Sequence, residues 1–306
     1  MESNSSYSHR IYVTLNPSAV EDLDPSGGYN PYYYHADSGF FIGCNAANGS
    51  TNEAQVIQKV WEAFQGRNIQ NSHGKNLHYY NGWDAENFTT VSALLENKNG
   101  QCTAWAKFFL TVLKNMGITG LEWKYIGLVS TNHIYFLVNE WGDANLLPSS
   151  VANALANNNS IAADLIAMGY QDIIILKGGD VQISNNAYDF RYSDITDEPG
   201  IPGQNSGNPQ SIFTFHEVSV VSGNIYDASY GSPYSNANFI KDFQDAVLFG
   251  VMRIEMISIS ESDLGLDING DGSLSTNPVN RSIGFVKKYN STAGDIFLEV
   301  VSTSQF

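Results

Sequence analysis

The chain has 306 residues, 42% of them hydrophobic and 15% charged, a composition that excludes an intrinsically disordered protein. Its 31 acidic residues outnumber its 15 lysines and arginines, and the formal net charge of -16 disfavours nucleic acid and anionic membranes as partners. No stretch approaches the roughly 20 apolar residues of a membrane-spanning helix, and the opening residues MESNSSYSHR lack the basic and apolar regions of a signal peptide.

Cysteine and lysine usage bears on where the protein works. Cys44 and Cys102 are too few to form a disulfide framework. The low lysine content, the many asparagines and the acidic surface favour an extracellular, secreted protein.

Residues 1–50 are predicted to form an N-terminal extension. Between residues 11 and 44, short apolar runs (RIYVTL, YYY, GFFIGC) alternate with clusters of Pro, Gly and Asp, a pattern that predicts extended segments and turns. Cys44 ends one of these runs, with no helix start or basic residue beside it. We therefore expect Cys44 to be a packed, unreactive residue.

Residues 51–250 are predicted to form the main domain, which begins with helices. After the polar cap Asn52, the segment NEAQVIQKVWEAFQ has apolar residues at helical spacing, and Gly66 is expected to end this helix. The recurring apolar residues are Val56, Ile57, Val60, Trp61 and Phe64. The segment VSALLENK predicts a second, short helix before the turn Asn99-Gly100.

The longest periodic pattern in the chain begins at Cys102. Small and apolar residues recur every three or four positions as far as Met116, which predicts one helix that Gly117 ends. Cys102 therefore lies at a helix N-terminus. Unpaired backbone N–H groups and the helix dipole at such a position favour the thiolate, the form of cysteine that attacks carbonyls.

Strands and helices alternate in the middle of the chain. EWKYIGLV and HIYFLVNEW have the β-branched and aromatic content of strands and are expected to pair as neighbours. Residues 144–210 are predicted to be an insertion that contains an Ala/Asn-rich helical piece, the strand DIIILK and the loop GIPGQNSGNP.

A hairpin is predicted after the insertion. FTFHEVSVV and NIYDASYG face each other across Ser222-Gly223, a two-residue turn. Beyond the hairpin come a helix (NFIKDFQDAVLFGV), a strand (RIEMISIS), an Asp-rich loop and two last strands. Residues 251–306 are assigned to a C-terminal β segment that carries this loop.

Two of these segments resemble a known family. NGQCTAWAKFFLTVLKNMGI is similar to the nucleophile segment of transglutaminase-like, papain-like cysteine enzymes, in which a turn ending in Gly-x-Cys precedes a helix of small and apolar residues. HEVSVVSGNIYDASYG resembles that family's hairpin, where one strand carries a histidine and the next an aspartate followed by a small residue, Ser and an aromatic. The likeness spans roughly residues 52–232. It departs from the family in the long gap between Cys102 and His216 and in Ala228, where proline is common.

The resemblance implies a fold and a chemistry. The fold would be α+β and papain-like, with the Cys102 helix packed on an antiparallel sheet. Cys102 would be the nucleophile, His216 its base and Asp227 the group that orients the histidine. The reaction would be acyl transfer on a protein or peptide, without a cofactor for the chemistry. Hydrolysis, deamidation and transamidation all stay open because they differ only in the acyl acceptor.

His133, in the segment NHIYFLVNEW, is a second candidate for the base. Its spacing from Cys102 is nearer to that of the compact members of the family. Only Asp143 follows it, however, without the Ser-aromatic pair that follows the aspartate of the hairpin. His216 is therefore preferred.

The oxyanion of the reaction needs hydrogen-bond donors. The backbone N–H of Cys102 is expected to be one, because donors at a helix start point toward a developing negative charge. Trp83, Tyr79 and Gln101 are open candidates for a side-chain donor.

The Asp-rich loop has the spacing of a calcium site. Oxygen-bearing side chains occupy positions one, three, five and seven, as in an EF-hand-type loop: Asp267, Asn269, Asp271 and Ser273. The loop resembles those of dockerin-like extracellular modules and predicts a structural calcium ion. Position twelve is Pro278, so Glu261 or Asp263 would have to supply the missing carboxylate. The alternative is an Asp/Asn/Gly turn without a metal.

Two functions outside catalysis also fit the sequence. The chain could be a transglutaminase-like module that keeps the fold without turnover. It could also be a calcium-dependent extracellular binding module, which the aromatic, Asn-rich composition and the Asp267 loop would suit.

Overall fold

The computed structural model shows a mixed fold of α-helices and antiparallel β-sheets, so the α+β class is confirmed. It describes the following residues: 12–15, 31–80, 87–130, 135–138, 146–147, 149–175, 182–184, 187–189, 201–207, 209, 211–268 and 270–306. Among these, no helix is both long and apolar enough to cross a bilayer.

The described helices and strands alternate along the chain. The helices are α1 (Pro31–Ala46), α2 (Glu53–Gln65), α3 (Val91–Asn97), α4 (Cys102–Asn115), α5 (Ser149–Asn158), α6 (Ser160–Ala167), α7 (Phe239–Val247) and α8 (Glu261–Leu264). The strands are β1 (His78–Tyr79), β2 (Asn99–Gly100), β3 (Leu121–Leu128), β4 (Tyr135–Val138), β5 (Asp172–Ile175), β6 (Gln182–Ser184), β7 (Ala187–Asp189), β8 (Ile212–Phe213), β9 (Phe215–Val221), β10 (Asn224–Asp227), β11 (Ser232–Tyr234), β12 (Leu248–Ile259), β13 (Val279–Lys288) and β14 (Leu298–Gln305).

Most of the described strands belong to two five-stranded sheets. The first sheet has the order β11-β10-β9-β3-β14 and the second the order β5-β13-β12-β4-β8, and every pairing within them is antiparallel. Two short pairs stand apart from these sheets: β1 runs parallel to β2, and β6 antiparallel to β7.

The helix α4 lies at the centre of the fold. It is buried around its circumference, including Phe108 and Val112, which fall outside the apolar face predicted from the sequence. The ring centroids of Phe109 and Phe64 on α2 are 5.0 Å apart, and the Ser219 hydroxyl on β9 donates to the Ala106 carbonyl at 2.8 Å. Because α4 is held between other helices and the first sheet, its N-terminus has a fixed position beside β9.

The prediction of extended segments and turns is wrong for residues 31–46, which form the helix α1. Its glycines allow a close helix crossing. A Cβ on Gly39 would lie 2.3 Å from Asn115 Nδ2, and one on Gly43 would lie 2.8 Å from Met116 Sδ. Glycines four residues apart on one helix face thus let α1 approach α4, and the same residues had suggested turns in the sequence.

The prediction that EWKYIGLV and HIYFLVNEW pair as neighbours is also wrong. The strand β3 pairs with β9 and β14, whereas β4 pairs with β12 and β8 in the other sheet. Both edges of β3 are therefore occupied by strands that come much later in the sequence.

The last three strands complete sheets that contain strands from earlier in the chain. The strand β12 pairs with β4, β13 with β5, and β14 with β3. The helix predicted over NFIKDFQDAVLFGV ends at Val247, and LFGV begins the strand β12, because residues from Leu248 onward pair with β4. The sequence boundary at residue 251 therefore does not separate two sheets.

Candidate active site

Cys102 is the first residue of α4, as the sequence predicts. The preceding residue, Gln101, has extended backbone and caps the helix without a side-chain bond, and its N–H donates to the Phe88 carbonyl at 3.2 Å. The pairing of β2 with β1 fixes the residues just before the cysteine. The Cys102 side chain is only 1% exposed, so substrates would reach the sulfur only after the surrounding residues move.

His216 and Asp227 lie on the predicted hairpin, which the structure confirms. Ser222 and Gly223 have φ values of 50° and 79°, and positive φ at both central residues is the requirement of a two-residue type I′ turn. The register pairs Tyr226 with Ser219. Asp227 is therefore opposite the residue two positions from His216, and the two side chains lie on one face of the sheet.

The structure brings the three predicted residues together. The His216 Nε2–H donates to Asp227 Oδ2 at 2.8 Å. Cys102 lies near enough to the imidazole to influence its pKa, and because Nε2 is bonded to Asp227, Nδ1 is the ring nitrogen available to the sulfur. The other carboxylate oxygen, Oδ1, accepts from the backbone N–H groups of Ser229 at 3.1 Å and Tyr230 at 3.2 Å. Both oxygens of Asp227 are thus held, and the carboxylate can fix the orientation of the ring.

Two aromatic rings enclose the imidazole of His216. Tyr230 stacks on it at 5.3 Å between centroids with an interplanar angle of 20°, and Phe243 from α7 stacks at 5.5 Å and 23°. Phe213 approaches edge-on at 6.3 Å. These contacts restrict rotation of the imidazole ring, and the hydrogen bond to Asp227 fixes its orientation.

The electrostatics of His216 favour its charged form. Burial lowers the pKa of the imidazole, but the negative charge and hydrogen bond of Asp227 and the contact with Cys102 together outweigh burial and raise it above its usual value. An imidazolium beside a sulfur atom at a helix N-terminus stabilises a thiolate. The site is arranged as a cysteine, a histidine and an aspartate in series.

Comparison with known proteins does not assign a function to this site. The chain matches no protein-family model, and neither the curated proteins nor the solved structures compared with it match it. The arrangement of Cys102, His216 and Asp227 is therefore the ground on which the function is inferred.

Two tyrosines that the sequence did not mark as a pair lie beside Cys102. The rings of Tyr79 and Tyr230 meet edge-on with centroids 5.2 Å apart. Burial raises the pKa of both hydroxyls well above the usual value for tyrosine, and negative charge on Cys102 raises both further. Both hydroxyls therefore stay protonated and are available as neutral hydrogen-bond donors.

Glu217 is a buried carboxylate next to the site. Burial raises its pKa, an effect that Lys107, a hydrogen bond with Thr103 and the charge of His216 oppose. Thr103 follows Cys102 directly, so this contact joins the first turn of α4 to β9. Glu217 was missed in the sequence because its neighbours on α4 are far away along the chain.

A short turn from the predicted insertion holds the site segments together. Gln204, which is fully buried, accepts at its carbonyl from the Tyr79 N–H at 2.9 Å and donates from its own N–H to the Ser229 carbonyl at 3.0 Å. Its side-chain amide donates to the carbonyls of Phe64 and Ala228 at 2.6 and 2.8 Å. The loop GIPGQNSGNP thus contains structural residues, a role that its composition did not indicate.

Several candidates from the sequence lie outside the described residues. They include the rival base His133 with Asp143, and the oxyanion candidate Trp83. The preference for His216 over His133 as the base therefore stays a prediction.

The predicted calcium loop is described except for Asn269. The two carboxylate oxygens of Asp267 accept from the N–H groups of Gly270 at 2.8 Å and Gly272 at 2.7 Å, and Asp271 accepts from Ser273. Within the described part of the chain, no three His, Cys, Asp or Glu residues are grouped as metal ligands. The carboxylates of Asp267 and Asp271 thus accept hydrogen bonds from within the loop. Calcium binding stays a prediction from the motif.

Proposed function

We propose that this protein is a cysteine-dependent acyl-transfer enzyme with a transglutaminase-like, papain-like catalytic core. Cys102 is the nucleophile, His216 the general base and acid, and Asp227 the group that orients the imidazole. The observation that carries this proposal is the buried hydrogen bond between His216 and Asp227 beside Cys102, which begins a buried helix close enough to the imidazole to influence its pKa.

The reaction follows from these positions. The Cys102 thiolate attacks the carbonyl carbon of an amide or ester, a sulfur–carbon bond forms, and the electron pair of the carbonyl moves to its oxygen. When this intermediate collapses, the leaving group takes the proton from His216 and a thioester remains on Cys102. Water or an amine then gives a proton to His216 and attacks the thioester, which restores the thiolate and the imidazolium. Asp227 keeps the ring oriented through both steps.

The substrate class follows from charge and chemistry. A protein with a net charge of -16 attracts neutral or cationic partners more readily than anionic ones. An amide in a protein or peptide is therefore the proposed acyl donor. Hydrolysis, deamidation and transamidation share the acylation step and differ in the acceptor that resolves the thioester.

One observation favours a second candidate, a module that keeps the fold without turnover. Cys102 is 1% exposed and His216 is equally buried, so the site is closed in this conformation. A silent module would keep its thiol closed off from small esters as well as from proteins. An acyl-transfer enzyme must open at least far enough to admit a small acyl donor.

Acylation by p-nitrophenyl acetate separates these candidates. We expect the folded protein to release a burst of p-nitrophenol and to carry one acetyl group on Cys102, detected by peptide mass spectrometry. Cys44→Ser should keep the burst, because Cys44 lies on α1 with its thiol near Met116 and burial raises its pKa. Cys102→Ala and His216→Ala should lose it. Acetylation of Cys44 in preference to Cys102, or no Cys102-dependent burst, would contradict the enzymatic proposal.

A further inference from the structure

Two buried hydroxyls beside the nucleophile have unused hydrogen-bonding capacity. Tyr79 is 0% exposed and Tyr230 is 4% exposed, and neither hydroxyl has a hydrogen-bond partner among the described residues. The two hydroxyls approach each other closely enough to interact, but without the geometry of a formed hydrogen bond. Because an unpaired buried hydroxyl costs on the order of 1–3 kcal/mol, its presence calls for a ligand or a role.

The backbone places Tyr79 next to the segment that leads to Cys102. The parallel pairing of β1 with β2 sets Tyr79 opposite Gly100, two residues before the nucleophile. Gly203 fixes the other side of the ring, since a Cβ there would lie 2.5 Å from Tyr79 Cδ1. The ring is thus wedged between the strand before α4 and the turn that contains Gln204, and its hydroxyl cannot swing away to water.

The neighbouring tyrosines have other contacts. The Tyr80 hydroxyl donates to Gln101 Oε1 at 3.5 Å. The Tyr230 ring is stacked on His216, so its position is tied to the base. Tyr79 is the tyrosine that combines an unpaired, fully buried hydroxyl with a backbone position beside the nucleophile. The charge of Cys102 also raises the pKa of Tyr79, after the larger contributions of burial and Tyr230, which places the hydroxyl within electrostatic reach of the sulfur.

We propose that the Tyr79 hydroxyl, supported by the Tyr230 hydroxyl beside it, is the side-chain donor to the oxyanion that forms when Cys102 attacks a carbonyl. This inference rests on the proposed acyl-transfer function. In the attack, the electron pair of the carbonyl moves to oxygen, and the oxygen accepts a hydrogen bond from Tyr79 while the tyrosine keeps its proton. The backbone N–H of Cys102 is the second donor. A neutral, preorganised donor in a buried site is the arrangement that gives large stabilisation of such an oxyanion.

Two reactions of the same thiol test this role. Iodoacetamide is attacked at a saturated carbon and loses iodide, so no oxyanion forms. The carbonyl of p-nitrophenyl acetate becomes a tetrahedral oxyanion. Tyr79→Phe should slow the Cys102-dependent acylation about 100-fold, the usual effect of losing one oxyanion donor, and leave the alkylation rate of Cys102 unchanged. Tyr230→Phe should slow acylation less and also leave alkylation unchanged.

Tyr226→Phe is the matched control. It removes a hydroxyl from the residue next to Asp227, but this ring packs against Trp61 and Phe109 on the opposite face of the sheet. Both rates should stay at the wild-type value. Equal acylation rates for Tyr79→Phe and the wild type would overturn the inference. A parallel fall of the acylation and alkylation rates would also overturn it, because such a fall indicates a structural role for Tyr79. If the Cys102→Ala variant releases p-nitrophenol as fast as the wild type, the proposed acyl-transfer function itself is wrong. That outcome is distinct from the two that overturn the role of Tyr79.

Discussion

His216 and Asp227 form a buried pair whose charge state links the site to the stability of the protein. The exposed fractions of the two side chains are 1% and 0%. In the unfolded chain the histidine titrates near its ordinary pKa of ~6.5. In the folded protein that pKa is higher, because Asp227 and Cys102 outweigh the opposing effect of burial. The pair therefore stabilises the fold most at pH values below ~6.5, and this contribution is lost as the pH rises through the folded-state pKa.

Asp227→Asn should reveal this linkage. Breaking a buried pair costs on the order of 3 kcal/mol, so the variant should be less stable than the wild type by about that amount at pH 6. The difference in the free energy of unfolding should shrink as the pH rises into the alkaline range. Urea denaturation of both proteins between pH 6 and pH 10 measures it. A difference that stays constant or grows with pH would contradict the assigned charge state.

The residues of the site differ in how far the sequence could predict them. Cys102 follows from the helix period, and His216 with Asp227 follows from the hairpin pattern, because both patterns are local. Tyr79 was one of three open candidates for a side-chain oxyanion donor, and its packing against Tyr230 is visible only in the structure. Phe243 and Glu217 reach the site through contacts between elements far apart in the chain. Each is an ordinary apolar or acidic residue within its own segment. Its role depends on tertiary packing, which a periodic pattern does not encode.

The helices α2 and α4 show why strongly periodic elements were predictable. Asn52 caps α2 by accepting from the Gln55 N–H at 3.0 Å, and the apolar residues predicted for its inner face are all buried. The helix α1 lacked such a signal, because its glycines and its aromatic cluster suggested turns. The deciding interaction is the close approach to α4, which only the folded structure contains.

Gly39→Ala tests this explanation of α1. Alanine in a helix interior is ordinarily more stable than glycine by roughly 0.5–1 kcal/mol. At Gly39 the new Cβ would lie 2.3 Å from Nδ2 of the buried Asn115, so we expect a net loss of about 1–3 kcal/mol instead. The comparison is Gly43→Ala in the same helix, where the clash is with the flexible Met116 and the loss should be smaller. Thermal unfolding ranks the stabilities of the two variants. An unchanged or higher Tm for Gly39→Ala would show that α1 and α4 are not closely packed at this position.

The Asp267 loop carries the prediction of a structural calcium ion. Glu261, which is 1% exposed, accepts from the N–H groups of Ile268 at 3.3 Å and Ser275 at 3.0 Å, so the loop is tied to α8. A bound ion would stabilise this part of the chain. We expect a chelator to lower the Tm by a few degrees and Asp271→Ala to remove that response. Equal unfolding with and without chelator would mean that the loop is a turn held by its own hydrogen bonds.

At the scale of the whole molecule, both five-stranded sheets combine strands from distant parts of the sequence. The site hairpin pairs with β3, whose other edge is taken by the C-terminal strand β14. The second sheet places β12 and β13 between β4 and β5. Pairings of this kind follow from the packing of the complete chain, which is why the sequence predicted most strands but assigned β3 and β4 the wrong partners.

The predicted insertion also contributes to the whole. Its described helices α5 and α6 and its strand β5 match the predicted helical piece and strand. Its last turn reaches back to the site, where Gln204 connects the Tyr79 strand to the segment after Asp227. The long separation of Cys102 from His216 thus includes residues that hold the segments of the candidate site in place.

The central claim is that His216, held by Asp227, activates Cys102. Its most direct test is the pH dependence of the iodoacetamide alkylation rate at Cys102, followed by peptide mass spectrometry in the wild type, His216→Ala and His133→Ala. An ordinary cysteine gains reactivity around pH ~8.5, as its thiolate forms. In the wild type we expect fast alkylation to persist well below that pH, because imidazolium and helix N-terminus both stabilise the thiolate. Loss of His216 should move the rate profile toward pH ~8.5, and loss of His133 should leave it in place. The reverse pattern, with His133→Ala shifted and His216→Ala unchanged, would contradict the account.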